Sequence, residues 1–341
     1  MKIFVTGVAG FIGSRVAELL LIRGDNVVGI DNLNDYYDIE LKKARLKRIQ
    51  NSALLGEFAF IQMDTMDNSA ISELFEKERF DKVVHMAAQD GDRYSIEKPL
   101  NYVGNNVVGF AHVLEGCRQN CIQHLVYASS SSIYGLNRLL PFSVHQNSDH
   151  PLSLYAALKK SNELMAHSYS HLYQIPTTGL RFCTVYGPWD NPNMALTKFT
   201  KAILAGKSID VYNQGKHLRD FTYIDDVAEA VILALDTIAE PNKHWNPELP
   251  DPASSSAPWR IYNIGDQHPT TLMTYIETLE KHLGQKALKN YMNIQPGDVQ
   301  DTYADIDAFI GQVGFEPKVS IDEGIKAFVQ WYKEYYHSVD S

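Results

Sequence analysis

Tyr155 and Lys159 stand four residues apart near the start of a helical stretch over residues 153–173. On a helix that spacing puts both side chains on one face. An ammonium beside a phenol stabilises the phenolate, so Lys159 is expected to bring the Tyr155 pKa down towards neutrality. A tyrosine tuned in this way takes a proton from an alcohol near neutral pH. A second cluster lies at 128–135, reading ASSSSIYG, with four serines directly after an apolar run. Their hydroxyls suit hydrogen bonds to a substrate oxygen, to the tyrosine oxygen or to the reactive end of a cofactor. Two other candidates carry less. His167 and His171 have the spacing of a zinc-binding helix, but Ser168 stands where that motif needs a glutamate, so the pair reads as a helix face. Cys117, Cys121 and Cys183 have no zinc spacing either, and no metal is expected.

These side chains must be positioned by a larger frame, and residues 2–13, KIFVTGVAGFIG, supply its first piece. Ile3, Phe4 and Val5 form the short apolar run of a buried parallel strand. Gly7 permits a tight turn, Gly10 lets backbone N–H groups approach a pyrophosphate, and Gly13 lets the following helix pack close to the sheet. The helix then points its positive end at the phosphates. A second apolar strand at 27–30 ends in Asp31, near the ~20-residue offset of a ribose-binding acid. That carboxylate accepts from ribose hydroxyls and repels a 2′-phosphate. No arginine follows in Asn32, Leu33 and Asn34, so NAD is expected rather than NADP.

Further strands are predicted at 58–62, 82–85, 125–128 and 178–182. Helices are predicted between them at 38–51, 68–77, 102–120 and 153–173. Strands alternating with helices imply right-handed crossovers and a doubly wound parallel α/β sheet, with ligands beyond the carboxyl ends of its strands. Asp31, Asp64, Ala87 and Ser130 all fall at or just past such ends. After residue 187 the pattern loosens. Helices are predicted at 195–204, 271–283 and 321–335, with short strands at 209–212 and 260–264 and a Pro- and Ser-rich loop at 240–258. The expected division is a Rossmann domain over 1–186 and a smaller C-terminal α/β substrate-binding domain over 187–341. Segments near 219–236 and 260–265 are expected to return to the first domain.

With 341 residues the chain can bury a large core. Its net charge of -10 argues against a nucleic-acid surface. No run is long and apolar enough for a membrane span, and a sparse, odd cysteine count suits a reducing cytoplasm.

Taken together, the sequence resembles the extended short-chain dehydrogenase/reductase family, and within it the nucleotide-sugar epimerases of the UDP-glucuronate 4-epimerase type. The resemblance is carried by TGVAGFIG at 6–13, DNLNDYYD at 31–38, HMAAQ at 85–89 and ASSSSIYG at 128–135. It continues through the 153–173 helix, LRFCTVYGPW at 180–189, RDFTYIDD at 219–226 and QPGD at 295–298. It implies that Gly7, Gly10, Phe11, Ile12 and Asp31 hold the adenosine diphosphate half of NAD, with Asn32 and Asn34 beside the ribose. Asp64 and Thr65 would flank the adenine, and Ala87, Ala88, Gln89 and Asn106 would line the middle. Tyr155 would be the base, Lys159 would bind the nicotinamide ribose, and Ser130 would bond the reacting hydroxyl. Related dehydratases follow that serine position with Asp-Glu; Ser131 and Ser132 stand here, so the acid that expels C6 water is missing. Thr184, Ala195, Tyr212, Arg219 and Asp298 match positions around the sugar, diphosphate and uridine, and Arg219 is the expected diphosphate clamp. Arg93, Ser131, Ser132 and Asn191 complete the expected substrate contacts. A homodimer paired through the 102–120 and 153–173 helices is also implied.

Two departures stand out. Relatives that bind uronates read GPWGRPDMA where this chain reads GPWDNPNMA, so Asn191 replaces an arginine. They read AAQAGVRYS where this chain reads AAQDGDRYS, which adds Asp90 and Asp92. Both changes make the site less positive where an anion is expected. The implied reaction is epimerisation at C4 of a UDP-sugar through a transient 4-keto sugar. The departures leave open a neutral or amino hexose in place of a uronate, or a uronate whose lost charge is made up by Arg93 or Lys198. A UDP-uronate decarboxylase, a dehydrogenase relative and a cofactor-dependent scaffold without catalysis are the rivals.

Overall fold

The computed structural model describes residues 1–52, 54–92, 94–294 and 301–339. Seven strands form one parallel sheet: β1 (Lys2–Thr6), β2 (Asn26–Asp31), β3 (Phe58–Gln62), β4 (Lys82–His85), β5 (His124–Ser130), β6 (Thr177–Phe182) and, far along the chain, β11 (Trp259–Ile264). Their order across the sheet is β11-β6-β5-β4-β1-β2-β3. β1 pairs with β2 on one side and β4 on the other, Val5 lying opposite both Gly29 and Val84. The winding direction reverses there, which opens a crevice at the carboxyl ends. All residues of β4 and β6 are buried, as expected for strands covered on both faces.

Helices α1 (Phe11–Arg23), α2 (Ile39–Asn51) and α9 (Ile224–Asp236) cover one face, while α3 (Asn68–Glu78), α6 (Gly109–Gln119) and α7 (Leu154–Tyr173) cover the other. Starts are set by side-chain caps: Asp38 accepts from Glu40 N–H at 2.9 Å, Asp67 from Ala70 N–H at 3.0 Å and Ser153 from Ala156 N–H at 3.1 Å. α9 is tied to the sheet from the second half of the chain, its Leu235 carbonyl accepting from Lys82 Nζ at 2.9 Å.

The helix expected over 102–120 is interrupted. α4 (Tyr94–Glu97) and α5 (Pro99–Val103) come first, and a wide π-helical turn, Gly104–Val108, precedes α6. The turn gives Asn106 two polar partners, described below, that a regular helix would not present to it.

The rest of the chain builds a smaller layer. β7 (Thr184–Tyr186) pairs with β10 (Phe221–Tyr223), β8 (Ser208–Val211) with β13 (Leu288–Tyr291), and β9 (Leu218–Arg219) with β12 (Thr270–Thr271). α8 (Ala195–Leu204), α10 (Leu272–Leu283), α11 (Asp307–Val313) and α12 (Ile321–Val339) pack around them. Phe221 stacks on Tyr275 with centroids 4.0 Å apart.

Candidate active site

A cleft of ≈ 380 Å³ runs along the carboxyl edge of the sheet. Its first wall is the glycine turn. Gly7 has φ +70°, open to glycine at little cost, and a Cβ on Gly13 would stand 2.2 Å from the Gly7 carbonyl oxygen. α1 can therefore begin directly against the turn. No side chain caps it and no acidic residue occupies its first turn, so the N–H end beside Phe11 and Ile12 faces the cleft.

Asp31 closes this end. Its oxygens accept from Ala9 N–H at 3.2 Å and Leu33 N–H at 2.9 Å. Burial pushes its carboxyl above the usual carboxylate range, against these bonds and the charge of Lys42. Asn32 bridges to Asp64 at 2.9 Å, tying the ends of β2 and β3 together. Asn34 receives Lys42 Nζ at 2.8 Å. Thr65 lines the same wall, and Ala87 and Ala88 line the middle with Gln89.

Gln89 is buried, and its side-chain Nε2 has no protein partner. Asn106 stands one step behind it and does not line the cleft. Its Oδ1 accepts from Gln89 N–H at 2.7 Å, and its Nδ2 donates to the Gln89 carbonyl at 2.9 Å. The π-helical turn frees its own carbonyl for Asn162 Nδ2 at 2.7 Å. The sequence reading put Asn106 at the cofactor; the structure makes it a clamp on the residue that lines the cleft. Asn106→Ala should strand both backbone groups of Gln89 at a cost of about 1–3 kcal/mol, read as a lowered urea midpoint.

At the other end β5 delivers Ser130 and α7 delivers Tyr155 and Lys159. Ser130 and Tyr155 both line this end of the cleft, and Ser130 Oγ accepts from Ser132 N–H at 3.2 Å. Lys159 is buried, with Nζ 2.8 Å from the Ala128 carbonyl and 5.9 Å from the Tyr155 ring centroid. Burial brings its pKa down to about 8, while Asp90 opposes the fall.

The expected lowering of the Tyr155 pKa is not found. Burial raises it well above the ordinary phenol value, and the Asp90 and Asp92 carboxylates raise it further, against a lowering influence of Ser130. Neither carboxylate entered the expectation, which weighed Lys159 alone.

Both acids line the cleft. Asp90 accepts from Asn191 Nδ2 at 3.1 and 3.4 Å, so the two departures noted in the sequence touch one another. Asp92 accepts from Ser132 Oγ at 3.0 Å and from the Ser153 hydroxyl. Ser132 thus turns to a protein acid rather than standing free. Tyr36, which the sequence reading did not assign, also lines the cleft and donates to the Asp90 carbonyl at 3.1 Å. Its signal was an aromatic pair, Tyr36-Tyr37, set in an otherwise polar loop.

Ser131 and Thr184 line the same end. Ala195, Tyr212 and Arg219 do not line the cleft: Ala195 opens α8, Tyr212 begins the turn after β8, and Arg219 lies in β9 opposite Thr270. Arg93 and Asp298 lie outside the described residues. His167 packs edge-on against Trp259 and meets Ser255 Oγ at 2.8 Å. Among the described residues no group of three or more His, Cys, Asp or Glu side chains could hold a metal ion.

Known proteins match this chain over nearly its whole length. The chain is 53% identical to Protein CapI of Staphylococcus aureus, covering 98% of this chain and 99% of that one. It is 44% identical to a probable UDP-glucuronate 4-epimerase of Rhizobium meliloti, covering 98% of each. Among solved structures, the UDP-glucuronic acid 4-epimerase of Bacillus cereus in complex with UDP-glucuronic acid and NAD superposes with a TM-score of 0.84 at 32% identity, covering 98% of this chain and 100% of that one. The UDP-glucose 4-epimerase of Thermotoga maritima with UDP-glucose gives 0.85 at 27%, with the same coverage. The family model for NAD dependent epimerases and dehydratases matches residues 3–247, most of the sheet and both walls of the cleft, and the chain belongs to that family.

Proposed function

We propose that the protein is an NAD-dependent 4-epimerase of UDP-sugars, of the UDP-glucuronate/UDP-galacturonate type that its relatives' names suggest. The observation that carries the reading is the meeting of Ser130, Tyr155 and Lys159 at one end of a cleft whose other end is the glycine turn and Asp31. The residues fit the dinucleotide. The uncapped start of α1 suits a pyrophosphate, Asp31 suits ribose hydroxyls, and the unpartnered Gln89 amide supplies a donor in the middle.

When bound, NAD supplies a ring that takes up a hydride and gives it back. The chain's own residues manage the proton and the pose. Tyr155 Oη takes the proton of the sugar C4 hydroxyl and later returns it to C4 oxygen of the inverted product. Ser130 Oγ holds that oxygen in line. Lys159, fixed by the Ala128 carbonyl, supplies positive charge beside the developing phenolate. Thr184 and Ser131 bound the space in which the 4-keto ring turns over. Arg93, Asn191, Ala195, Tyr212, Arg219 and Asp298 remain our proposals for the rest of the nucleotide sugar.

Two further features belong to this reading. Leu164 and Leu172 are exposed on α7, and Val108 is exposed just before α6, an apolar face suited to a homodimer. A cytoplasmic setting fits three cysteines without disulfides. Among the described residues no helix is long and apolar enough to cross a membrane.

The test is incubation of the purified protein with NAD and a panel of charged and neutral UDP-sugars, followed by NMR. We expect a C4 epimer to form with no change at the nicotinamide absorbance band. Stoichiometric NADH points to a dehydrogenase and released carbon dioxide to a decarboxylase, and either would replace this reading.

A further inference from the structure

We propose that Arg45, which does not line the cleft, is a positioning residue for the nucleotide sugar: its guanidinium fixes the backbone turn at Trp189 that brings Asp190 and Asn191 into the cleft, and ties that turn to the glycine turn. The inference rests on the epimerase reading and deepens it.

Arg45 lies in α2 and is wholly buried. Every one of its N–H donors is used. Nη1 donates to the Ala9 carbonyl at 2.9 Å and to Tyr37 Oη. Nε and Nη2 both donate to the Trp189 carbonyl, at 3.1 and 2.7 Å, and Nη2 also reaches the Asp190 carbonyl at 3.2 Å. These acceptors come from separate stretches: the glycine turn, the loop after β2, and the segment that joins β7 to α8. Ala9 is held from its other side as well, its N–H donating to Asp31. A single planar cation thus joins the cofactor end of the cleft to its sugar end.

The segment after β7 needs such a hold. Trp189 has φ +68°, a left-handed conformation that a bulky side chain rarely adopts. A turn of this kind persists only where its surroundings fix it. The Trp189 ring is packed by the Arg48 guanidinium, 5.0 Å from its centroid, and by Trp331 and Tyr335, with centroids 5.4 and 5.3 Å away. Its carbonyl is left to Arg45. Beyond the turn, Asp190, Asn191 and Met194 line the cleft. Asp190 is buried there, and its Oδ2 has no partner among the described residues, so the segment keeps a polar atom for a ligand.

A buried cation is a costly way to achieve packing alone, and the partners of this one are carbonyls and a phenol rather than carboxylates. Its charge acts on Asp31, Asp90 and Asp190, acids spread along the same cleft.

The experiment uses Arg45→Lys on the full chain loaded with NAD. Lysine keeps the charge but offers its donors from one point, so it cannot span both ends. With UDP-glucuronate or UDP-glucose, whichever turns over, we expect KM to rise about tenfold and kcat to stay within about threefold of wild type. Amide hydrogen exchange should quicken about tenfold in residues 187–194 and stay unchanged in β4 and β5. An unchanged KM would overturn the proposal. So would exchange that quickens nowhere, or evenly across the sheet, which marks a structural role alone. Absence of wild-type turnover with every UDP-sugar would overturn the epimerase reading instead. The exchange measurement, which needs only NAD, would then decide the matter, local quickening at 187–194 supporting the role of Arg45 and its absence overturning it.

Discussion

Replacing Tyr155 by phenylalanine is expected to lower kcat about 10²–10⁴-fold with KM changed far less, because a positioned acid–base group is worth that much in rate. The change removes one oxygen and leaves the ring, which packs edge-on against Tyr102 with centroids 6.4 Å apart. Ser130 and Lys159 keep their backbone partners at Ser132 N–H and the Ala128 carbonyl, so the site should retain its shape. Steady-state kinetics with whichever UDP-sugar turns over would test this, and a kcat within about threefold of wild type would remove Tyr155 from the chemistry. The pH profile gives a second handle. Burial and two carboxylates hold the Tyr155 proton tightly, so the basic form grows as pH rises and the wild-type rate should climb above neutrality. Lys159, at about 8, then loses the charge that supports the phenolate, which limits the climb. Asp92→Val removes one negative neighbour and should move the rising limb to lower pH.

The second large effect is on stability. Arg181→Met is expected to destabilise the fold by about 3–5 kcal/mol, the cost of leaving a buried charge without its partner. Arg181 and Glu163 form a two-pronged pair, with Nε to Oε1 and Nη2 to Oε2 both at 2.8 Å, and their side chains are 0% and 2% exposed. Ser129 Oγ adds a bond to Glu163 at 2.7 Å, and Arg181 Nη1 reaches Tyr134 Oη at 3.0 Å. The network links β5, β6 and α7, the elements that bring Ser130 to Tyr155. Attraction outweighs burial for the acid, whose pKa lies below the ordinary glutamate value. Without Arg181, Glu163 keeps Ser129 and a 3.7 Å approach from Lys160. The double variant Arg181→Met with Glu163→Leu should recover much of the loss, since matched apolar partners avoid the unpaired charge. Urea unfolding of the three proteins would show whether the two positions couple or merely add.

Much of the frame was legible because its signals are local. The runs at 58–62 and 82–85 are strands over those same residues, Phe58–Gln62 and Lys82–His85. The strand–turn–helix around Gly7 is written in the glycines themselves. The helices expected from 153 and from 271 start there, with Ser153 and Thr271 as their caps. What escaped depends on partners distant in sequence. Nothing near Asn106 says that the helix must widen there; the reason lies at Gln89 and Asn162. Nothing around Tyr155 says that Asp90 and Asp92 will outweigh Lys159. The unusual residues at 90 and 191 could each be seen, but only the folded chain makes them neighbours. Nothing in the sequence around Arg181 or Glu163 marks the two as a buried pair.

The late position of β11 bears on how the molecule comes into being. β6 has a hydrogen-bonding partner at β5 as soon as it is made, but its other side waits for Trp259–Ile264. On the ribosome, a nascent chain that has completed six strands therefore carries a bare, wholly buried-type strand until much of the remainder has emerged. Translation pauses between those two segments would prolong that exposure. The growing polypeptide is thus most open to misassociation in mid-synthesis, well after its dinucleotide fold has taken shape.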